Sequence, residues 1–254
     1  MPIAIPDSVT IAPEEYAYGW REVEKTLPTG ELVRERLPLT LDDILHPEVG
    51  DYRMHTEWHE RTCTYLYNVA NGQIKDDSAA VAIYDVRVAW DHPTIRPHAP
   101  DVAVVFGVKE RKNWSTFDCA TEGTRPTVIF EVASPKTRSV DLIDKVDEYE
   151  EVGVGYYIIV DTRKIDGREV RKLIGHERTD SGFLYMIPDE EGRLWVEPLQ
   201  MFVALEEGDV VCYSAENEPF PDYANMMRER DEAEKRISEL EAELARLRAQ
   251  LNSE

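Results

Sequence analysis

The chain has 254 residues, of which 42% are hydrophobic and 31% are charged, and this composition suits one folded domain with an appendage. Its formal net charge of −22 argues against long-range attraction to nucleic acid, because such attraction depends on neutralising phosphates. No apolar run reaches the roughly 18 residues that a bilayer span needs. The first residues carry no secretion signal and the 3 cysteines are far apart, so a cytoplasmic protein without membrane contact or disulfides is predicted.

The first part of the chain predicts little regular structure. Residues 1–50 are expected to form an irregular lead-in with a turn, a short strand and a helical turn begun at Thr40. A helix is predicted over residues 53–70, ended by Asn71 and Gly72, because a left-handed residue often closes a helix. Helical spacing predicts that one face of this helix consists of Trp58, Cys63, Leu66 and Ala70.

Short β-branched runs in the middle of the chain indicate strands at residues 81–90, 101–106, 127–133 and 156–161. A helix is predicted between the last two, over residues 139–154, with an apolar face of Val140, Ile143, Val146 and Tyr149. This order indicates an α/β (α+β) fold with a mixed sheet, in which a crossover helix joins neighbouring strands. Further runs between residues 170 and 213 predict an extra β region.

The last segment is typical of a long exposed helix. From residue 222 it lacks Pro and Gly, and apolar residues step by three and four along a heptad seam: Ile237, Leu240, Leu244, Leu247 and Leu251. In a parallel coiled coil, Arg236 would face Glu241 of the partner subunit, and Glu243 would face Arg248 of the partner subunit. The segment therefore predicts a homodimeric coil, and the alternative is a helix that packs its stripe onto its own domain.

Two acidic residues occur where a buried strand is predicted. Asp101 follows Pro100 at the start of one strand, and Glu131 lies inside another, between Phe130 and Val132. Burying an ionised carboxylate costs several kcal/mol unless something compensates for it. Mg²⁺ or Mn²⁺ would compensate, since hard cations take oxygen ligands. We therefore predict a metal held by Asp101, Glu131 and the main-chain carbonyl of Val132, although Asp101 alone could also cap a turn.

A lysine and three further polar residues are predicted to support this site. Lys145 falls on the helix after the Glu131 strand, four residues from Asp141, so the two share a helix face. Lys145 would activate water or stabilise developing charge, and the alternative is an ordinary surface pair with Asp141. His59 and Glu57, on the preceding helix, are predicted to lie near the same site, and the spacing of Glu57 does not fit a zinc metalloprotease.

These residues together resemble the Uma2 family of restriction endonucleases, a branch of the PD-(D/E)XK nucleases. The family pattern matches Pro100-Asp101, 131–135, 137–138, Asp141, Lys145, Tyr149, 153–154 and 157–161. The resemblance implies a restriction-endonuclease-like fold, a divalent metal site and nuclease activity. It also implies a nuclease domain at 51–220, between the lead-in (1–50) and the coil (221–254). One departure is Ala133, which stands where the superfamily usually has its lysine, and Lys145 takes that place from the following helix.

Three functions remain open at this point. The first is a Mg²⁺- or Mn²⁺-dependent DNA endonuclease, for which local basicity has to offset the acidic net charge. The second is a non-catalytic module of the same fold that recruits partners through its coil, and the third is a nuclease for RNA or a small phosphodiester. Six basic residues are predicted to collect near the site: Lys109, Arg111, Lys112, Arg125, Lys136 and Arg138.

Overall fold

The computed structural model describes residues 16–251, apart from the side chains of 223–225, 229 and 242–251. The helices are α1 (Leu41–Leu45), α2 (Glu57–Gln73), α3 (Cys119–Glu122), α4 (Lys145–Glu151) and α5 (Tyr223–Leu251). The strands before α4 are β1 (Gly19–Thr26), β2 (Leu32–Pro38), β3 (Asp51–Arg53), β4 (Val81–Tyr84), β5 (Arg87–Ala89), β6 (Val102–Val105), β7 (Thr116–Asp118) and β8 (Pro126–Ala133). Those after it are β9 (Tyr156–Ile165), β10 (Arg168–Thr179), β11 (Gly182–Tyr185), β12 (Leu194–Val196), β13 (Met201–Glu206) and β14 (Asp209–Ser214).

A six-stranded sheet in the order β11-β10-β9-β8-β6-β4 forms the centre of the molecule. Its pair β8–β9 is parallel, while β4–β6, β6–β8, β9–β10 and β10–β11 are antiparallel. The parallel pair is joined by a helical crossover that ends in α4, as parallel neighbours require. The predicted α+β fold with a mixed sheet is confirmed.

The two faces of this sheet carry two cores. Along β8, Phe130 and its alternate neighbours pack with α2, whereas Ile129 and Ala133 pack with Tyr149 of α4. Side chains alternate between the faces of a strand, so Glu131 lies on the α4 face between Ile129 and Ala133. The site therefore forms where α4 covers the end of β8.

The helix before the sheet begins later and ends later than predicted. Asp51–Arg53 is strand β3, and α2 begins after Thr56, whose hydroxyl accepts from the main-chain N–H of His59. The helix continues through Gly72 to Gln73, so the predicted end at Asn71-Gly72 is wrong. The predicted face is confirmed, since Cys63, Leu66 and Ala70 are fully buried and Trp58 is partly buried.

Several other strands differ from the prediction. The run 81–90 is two strands, β4 and β5, separated at Asp85, whose φ of 49° breaks an extended chain. The lead-in contains the hairpin β1–β2, and β1 also pairs with β3. In the extra β region, β10 and β11 join the central sheet, while β12, β13 and β14 form a separate small sheet. Strand β13 was missed.

The C-terminal helix α5 extends over 29 residues. On its predicted seam, Ile237 and Leu240 are 56% and 54% exposed. The side chains of Leu244, Leu247 and Leu251 lie outside the described residues. The coiled coil therefore stays a prediction. Within the described part of the chain, no helix combines the length and the apolar character that a bilayer crossing needs.

Candidate active site

Two buried carboxylates from adjacent strands form the base of the site. Asp101, just before β6, is 7% exposed and Glu131, in β8, is 3% exposed. The antiparallel register pairs Val102 with Phe130, so one step further along the strands Asp101 stands opposite Glu131. The sequence predicted that the two carboxylates would converge, and the structure places them at the same edge of the sheet.

Asp101 is held as an anion by two donors. Its Oδ2 accepts from the main-chain N–H of Val132 at 2.8 Å and lies 3.2 Å from Nε2 of His59. Burial alone would raise the pKa of Asp101, but His59, Lys145 and the Val132 N–H outweigh it and hold this pKa well below its usual range. The same carboxylate raises the pKa of His59 despite the burial of its ring, which favours a His59–Asp101 ion pair.

Lys145 joins Glu131 to a third buried carboxylate. Its Nζ lies 2.8 Å from Glu131 Oε1 and 2.8 Å from Oδ1 of Asp141, and the Tyr149 hydroxyl donates to Glu131 Oε1 at 3.2 Å. Burial would lower the pKa of Lys145, but the carboxylates outweigh it and hold this pKa above its usual value. Burial also raises the pKa of Glu131, and the negative charges of Asp101 and Asp141 add to that rise. We call Asp101, Glu131, Asp141 and Lys145 the carboxylate cluster.

A π-helical turn explains why Lys145 points inward. Residues Val140–Asp144 form this turn directly before α4, and the wider turn rotates the faces of the helix. Asp141, Lys145 and Tyr149 are all buried as a result, whereas Ile143 is 61% exposed. Val140 and Tyr149 of the predicted apolar face are buried as expected, whereas the placement of Ile143 on that face and of Lys145 and Asp141 off it is wrong. The hydroxyl of Thr137 donates to Asp141 Oδ2 at 3.2 Å and fixes the turn from its N-terminal side.

Two carboxylate oxygens of the cluster are available to bind a hard cation. Asp101 Oδ1 and Glu131 Oε2 accept no hydrogen bond from any residue that the structure describes. One oxygen on each of these two carboxylates is thus available to a ligand. An all-oxygen donor set suits Mg²⁺ or Mn²⁺ better than softer metals. The residues present therefore fit the predicted metal.

Two of the three predicted supporting residues reach the carboxylate cluster. His59 contacts Asp101, and Asp141 contacts Lys145, as expected of supporting residues. Glu57 is exposed in the first turn of α2 and forms no hydrogen bond or ion pair with a described residue, so the structure does not bring it to the cluster. The direct contact of Tyr149 with Glu131 was not predicted, although that tyrosine matched the family pattern.

A second buried polar group, which we call the histidine cluster, also packs on α4. It consists of Trp90, His98, Glu148 and His46, and its His98 ring lies 4.9 Å from the ring of Tyr149. His98 Nε2 lies 2.7 Å from Glu148 Oε2, a close approach that falls short of good hydrogen-bond alignment. Burial lowers the pKa of His98 to about 4, against the opposing effect of Glu148, so the ring is neutral at pH 7.

The tautomer of His98 argues against a metal in the histidine cluster, even though His46, His98 and Glu148 are near enough to share one. Trp90 Nε1 can only donate, and it lies 2.7 Å from His98 Nδ1, so we assign the proton of His98 to Nε2. A metal on Nε2 would instead need a proton on Nδ1 and an acceptor beside it. The histidine cluster is therefore a buried polar group organised around the Trp90–His98 hydrogen bond and the close His98–Glu148 contact.

A third grouping, His59, Cys63 and Asp101, is also compact. Burial holds the pKa of the Cys63 thiol well above its usual range, and the neighbouring carboxylates add to that effect. Because a thiolate rather than a thiol ligates metals, Cys63 is a poor ligand in this environment. The carboxylate cluster remains the best candidate.

Most of the basic residues predicted near the site lie elsewhere. Arg125 stands just before β8, and Glu131 lies six residues further along the chain, roughly 20 Å away at 3.3 Å per residue. Lys112 pairs with Glu122 and Arg125 pairs with Asp91. Lys109 and Arg111 follow β6 at this same far end, because β6 runs antiparallel to β8. Of the six, Lys136 and Arg138 follow the end of β8 that carries Glu131.

A mixed sheet with two carboxylates and a lysine at one strand end defines a restriction-endonuclease-like nuclease fold. Residues 49–182 match the model of the Uma2 family, described as "Putative restriction endonuclease", and this match covers more than half of the chain. The chain therefore belongs to the Uma2 family, which confirms the resemblance seen in the sequence.

One solved structure that is similar comes from Anabaena variabilis ATCC 29413 and is described as a putative nuclease belonging to DUF820. It is 15% identical to this chain, with a TM-score of 0.44, and the match covers 64% of this chain and 91% of the other. No curated protein matches the sequence significantly.

Proposed function

We propose that the chain is a metal-dependent phosphodiesterase that cuts DNA internally, with the carboxylate cluster as its active centre. The observation that carries the proposal is the unused oxygen on each of Asp101 and Glu131, two buried carboxylates beside a buried lysine. Membership of a family described as restriction endonucleases supports a nuclease. The proposed nuclease domain is 51–220, with α5 as an appendage in 221–254.

Asp101, Glu131 and the carbonyl of Val132 would hold Mg²⁺ or Mn²⁺. The Val132 peptide lies beside Asp101, because its N–H donates to the Asp101 carboxylate at 2.8 Å. When bound, the cation would act as a Lewis acid that lowers the pKa of a coordinated water and offsets the negative charge of the phosphate. His59 keeps Asp101 ionised and oriented through its contact with Oδ2, which leaves Oδ1 for the cation.

Lys145 would act as a cation rather than as a base. The surrounding carboxylates hold its pKa above the usual value, so it keeps its proton at neutral pH. A charged ammonium can donate to the attacking water and stabilise the negative charge that develops on the phosphodiester. Asp141 and the π-helical turn position it for this task, since Asp141 accepts from both Lys145 and Thr137.

Cleavage of supercoiled plasmid tests the proposal. Purified protein is incubated with Mg²⁺, Mn²⁺ or EDTA, beside Glu131→Ala, Lys145→Ala and the control Glu35→Ala, which changes an exposed carboxylate on β2. Nicking and linearisation are expected for wild type and the control with metal, and in neither cluster variant. Equal cleavage by all four proteins would identify a contaminant. Cleavage of RNA or of a small phosphodiester, with plasmid untouched, would replace DNA as the substrate.

The rival function is a non-catalytic module of the same fold, favoured by the net charge of −22 and by the exposed seam of α5. Whether the chain is a nuclease or a non-catalytic module, we propose that it forms a homodimer through a parallel coiled coil, in which Arg236 faces Glu241 of the partner subunit. Light scattering on full-length protein, on a chain ended at Phe220 and on Ile237→Asn/Leu240→Asn tests the coil. A full-length monomer, or a dimer that survives both changes, contradicts it. Absence of cleavage on every substrate favours the module.

A further inference from the structure

An excess of positive charge surrounds one buried carboxylate next to the carboxylate cluster. Asp161, near the middle of β9, has a side chain that is 0% exposed, and two arginines share it. Nε and Nη2 of Arg138 lie 2.7 and 3.2 Å from its two oxygens, and Nε of Arg163 lies 2.7 Å from Oδ2. We propose that Arg138 and Arg163, held by Asp161, form together with the neighbouring Lys172 a cradle for a backbone phosphate of the DNA strand being cut. The inference rests on the proposed function.

The charge balance of the cradle is opposite to that of the rest of the chain. Acidic residues outnumber basic ones by 51 to 29, and Arg21, for example, has three carboxylates around it: Asp43, Glu48 and Asp51. At Asp161 two guanidinium groups share a single anion. Like charges held together repel, so a second anion at this place would relieve the repulsion.

The arginines also keep donors for such an anion. Arg138 and Arg163 are 36% and 42% exposed, and beyond Asp161 neither donates to any residue that the structure describes. A guanidinium carries more N–H groups than these contacts use, in a planar fork that matches a phosphate. Because Asp161 already fixes both side chains, little side-chain entropy is lost when a phosphate binds.

The position of the cradle fits a phosphate close to the scissile one. Asp161 pairs with Ala133, which follows Glu131 by two residues on the same face of β8. Two residues span about 6.6 Å along a strand. Lys172 of β10 pairs with Asp161 from the other side and forms no ion pair with a described residue. A strand whose phosphate reached the carboxylate cluster would continue over Arg138, Arg163 and Lys172.

DNA binding, rather than cleavage, tests the cradle. Anisotropy of a short fluorescein-labelled DNA duplex is followed across a range of salt concentrations, with EDTA and with Mg²⁺, in full-length protein carrying Glu131→Gln so that nothing is cut. Four further variants are made in this Glu131→Gln protein: Arg138→Gln, Arg163→Gln, Lys172→Gln and the control Arg34→Gln. Arg34 is an exposed arginine of β2 with a weak ion pair to Glu24.

Each cradle variant is expected to weaken binding several-fold and to reduce the slope of log K against log salt by about 1. The control should leave affinity and slope unchanged. Wild-type affinity and slope in the cradle variants, with a lower melting temperature, would show a structural ion pair and overturn the cradle. Lys172→Gln keeps the test decisive if an arginine variant unfolds, since it breaks no described ion pair.

The outcomes separate the cradle from the proposed function. If the wild-type protein cleaves no DNA but the three variants show the expected smaller salt slope of binding, the nuclease is overturned and the cradle stands. Normal cleavage with unchanged binding in all three variants overturns the cradle and leaves the nuclease. A background protein that does not bind DNA at all overturns the cradle.

Discussion

The carboxylate cluster and the histidine cluster are both buried, both charged or polar, and both in contact with Tyr149. They differ in charge and in the partners of their polar atoms. In the histidine cluster, the Trp90 N–H fixes the His98 tautomer and directs its proton toward Glu148. In the carboxylate cluster, Lys145 pairs with Glu131 and Asp141, and an oxygen of Asp101 and one of Glu131 have no described donor. We expect the first arrangement to serve the fold, and we propose that the second binds a cation.

The largest expected effect comes from removing the only described cation that lies between Glu131 and Asp141. Lys145→Met should lower the free energy of unfolding by about 3–5 kcal/mol, because it leaves buried carboxylates without their counter-charge. Urea denaturation measures the change, with Lys172→Met as a control at an exposed lysine, where about 0.5 kcal/mol or less is expected. Equal stability of the two variants would mean that the cluster is neutral or solvated, and the contrast between the clusters would disappear.

Glu131→Gln is expected to separate activity from stability. The amide keeps an oxygen for Lys145 and Tyr149 but carries no charge, so repulsion from Asp101 and Asp141 falls and the melting temperature should stay the same or rise. Cleavage should fall at least about 100-fold, as is typical when a group that stabilises the transition state is lost. Glu35→Gln, on exposed β2, is the matched control. A strong loss of melting temperature in Glu131→Gln would show that this carboxylate serves the fold.

His98→Gln is expected to lower stability while it leaves cleavage activity nearly unchanged. Loss of the ring breaks its contacts with Trp90 and Glu148 and should cost about 1–3 kcal/mol of stability at neutral pH. Cleavage activity should remain within a few-fold of wild type wherever the protein is folded. Loss of cleavage comparable to that of Glu131→Gln would place the histidine cluster in the active centre.

The same variant makes a prediction about pH. The pKa of His98 is about 4 in the folded protein and 6.5 as the ordinary value, so between these limits the unfolded chain binds more protons. The stability contributed by neutral His98 is thus fully present above about pH 6.5 and is lost as the pH falls toward about 4. Urea denaturation at about pH 7.5 and about pH 5 should show the gap between wild type and His98→Gln narrowing in acid. A constant gap would mean that His98 is not buried as a neutral ring.

The sequence predicted the parts of the site that depend on local pattern. Asp101 and Glu131 were recognisable because a carboxylate in an apolar strand has to be compensated, and the structure brings them together with Lys145. The parallel pair β8–β9 followed from the order of strand and helix. The catalytic roles of these residues stay predictions.

What the sequence did not show depends on register and on distant contacts. Lys109 is near Asp101 in the chain and Arg125 is near Glu131, but both lie at the other end of the strands. Arg163 and Lys172 are far from them in the chain, yet the pairing of β9 with its neighbours brings Asp161 and Lys172 beside Ala133. The π-helical turn changed which residues face inward, and helical periodicity assumes a constant turn. The histidine cluster joins residues about 50 positions apart on different elements, which one sequence cannot reveal.

The smallest predicted effect concerns Tyr149, which contacts both clusters. Tyr149→Phe removes the hydroxyl that donates to Glu131 but keeps the ring against His98, so stability should fall by about 1 kcal/mol. A hydrogen bond to the ionised carboxylate is lost, so the pKa of Glu131 should rise further. Only the ionised form binds a cation well, and the gain in Mn²⁺ affinity with increasing pH should therefore shift to higher pH.

Calorimetric titration with Mn²⁺ at several pH values measures this shift. The control is Tyr157→Phe, whose hydroxyl donates instead to the main-chain oxygen of Asp141 at 2.9 Å. The control should show the wild-type pH dependence. An identical pH profile for both variants would mean that the Tyr149 hydroxyl does not act on Glu131. A shift in Tyr149→Phe alone would show that α4, through one tyrosine, supports the fold with its ring and prepares the metal site with its hydroxyl.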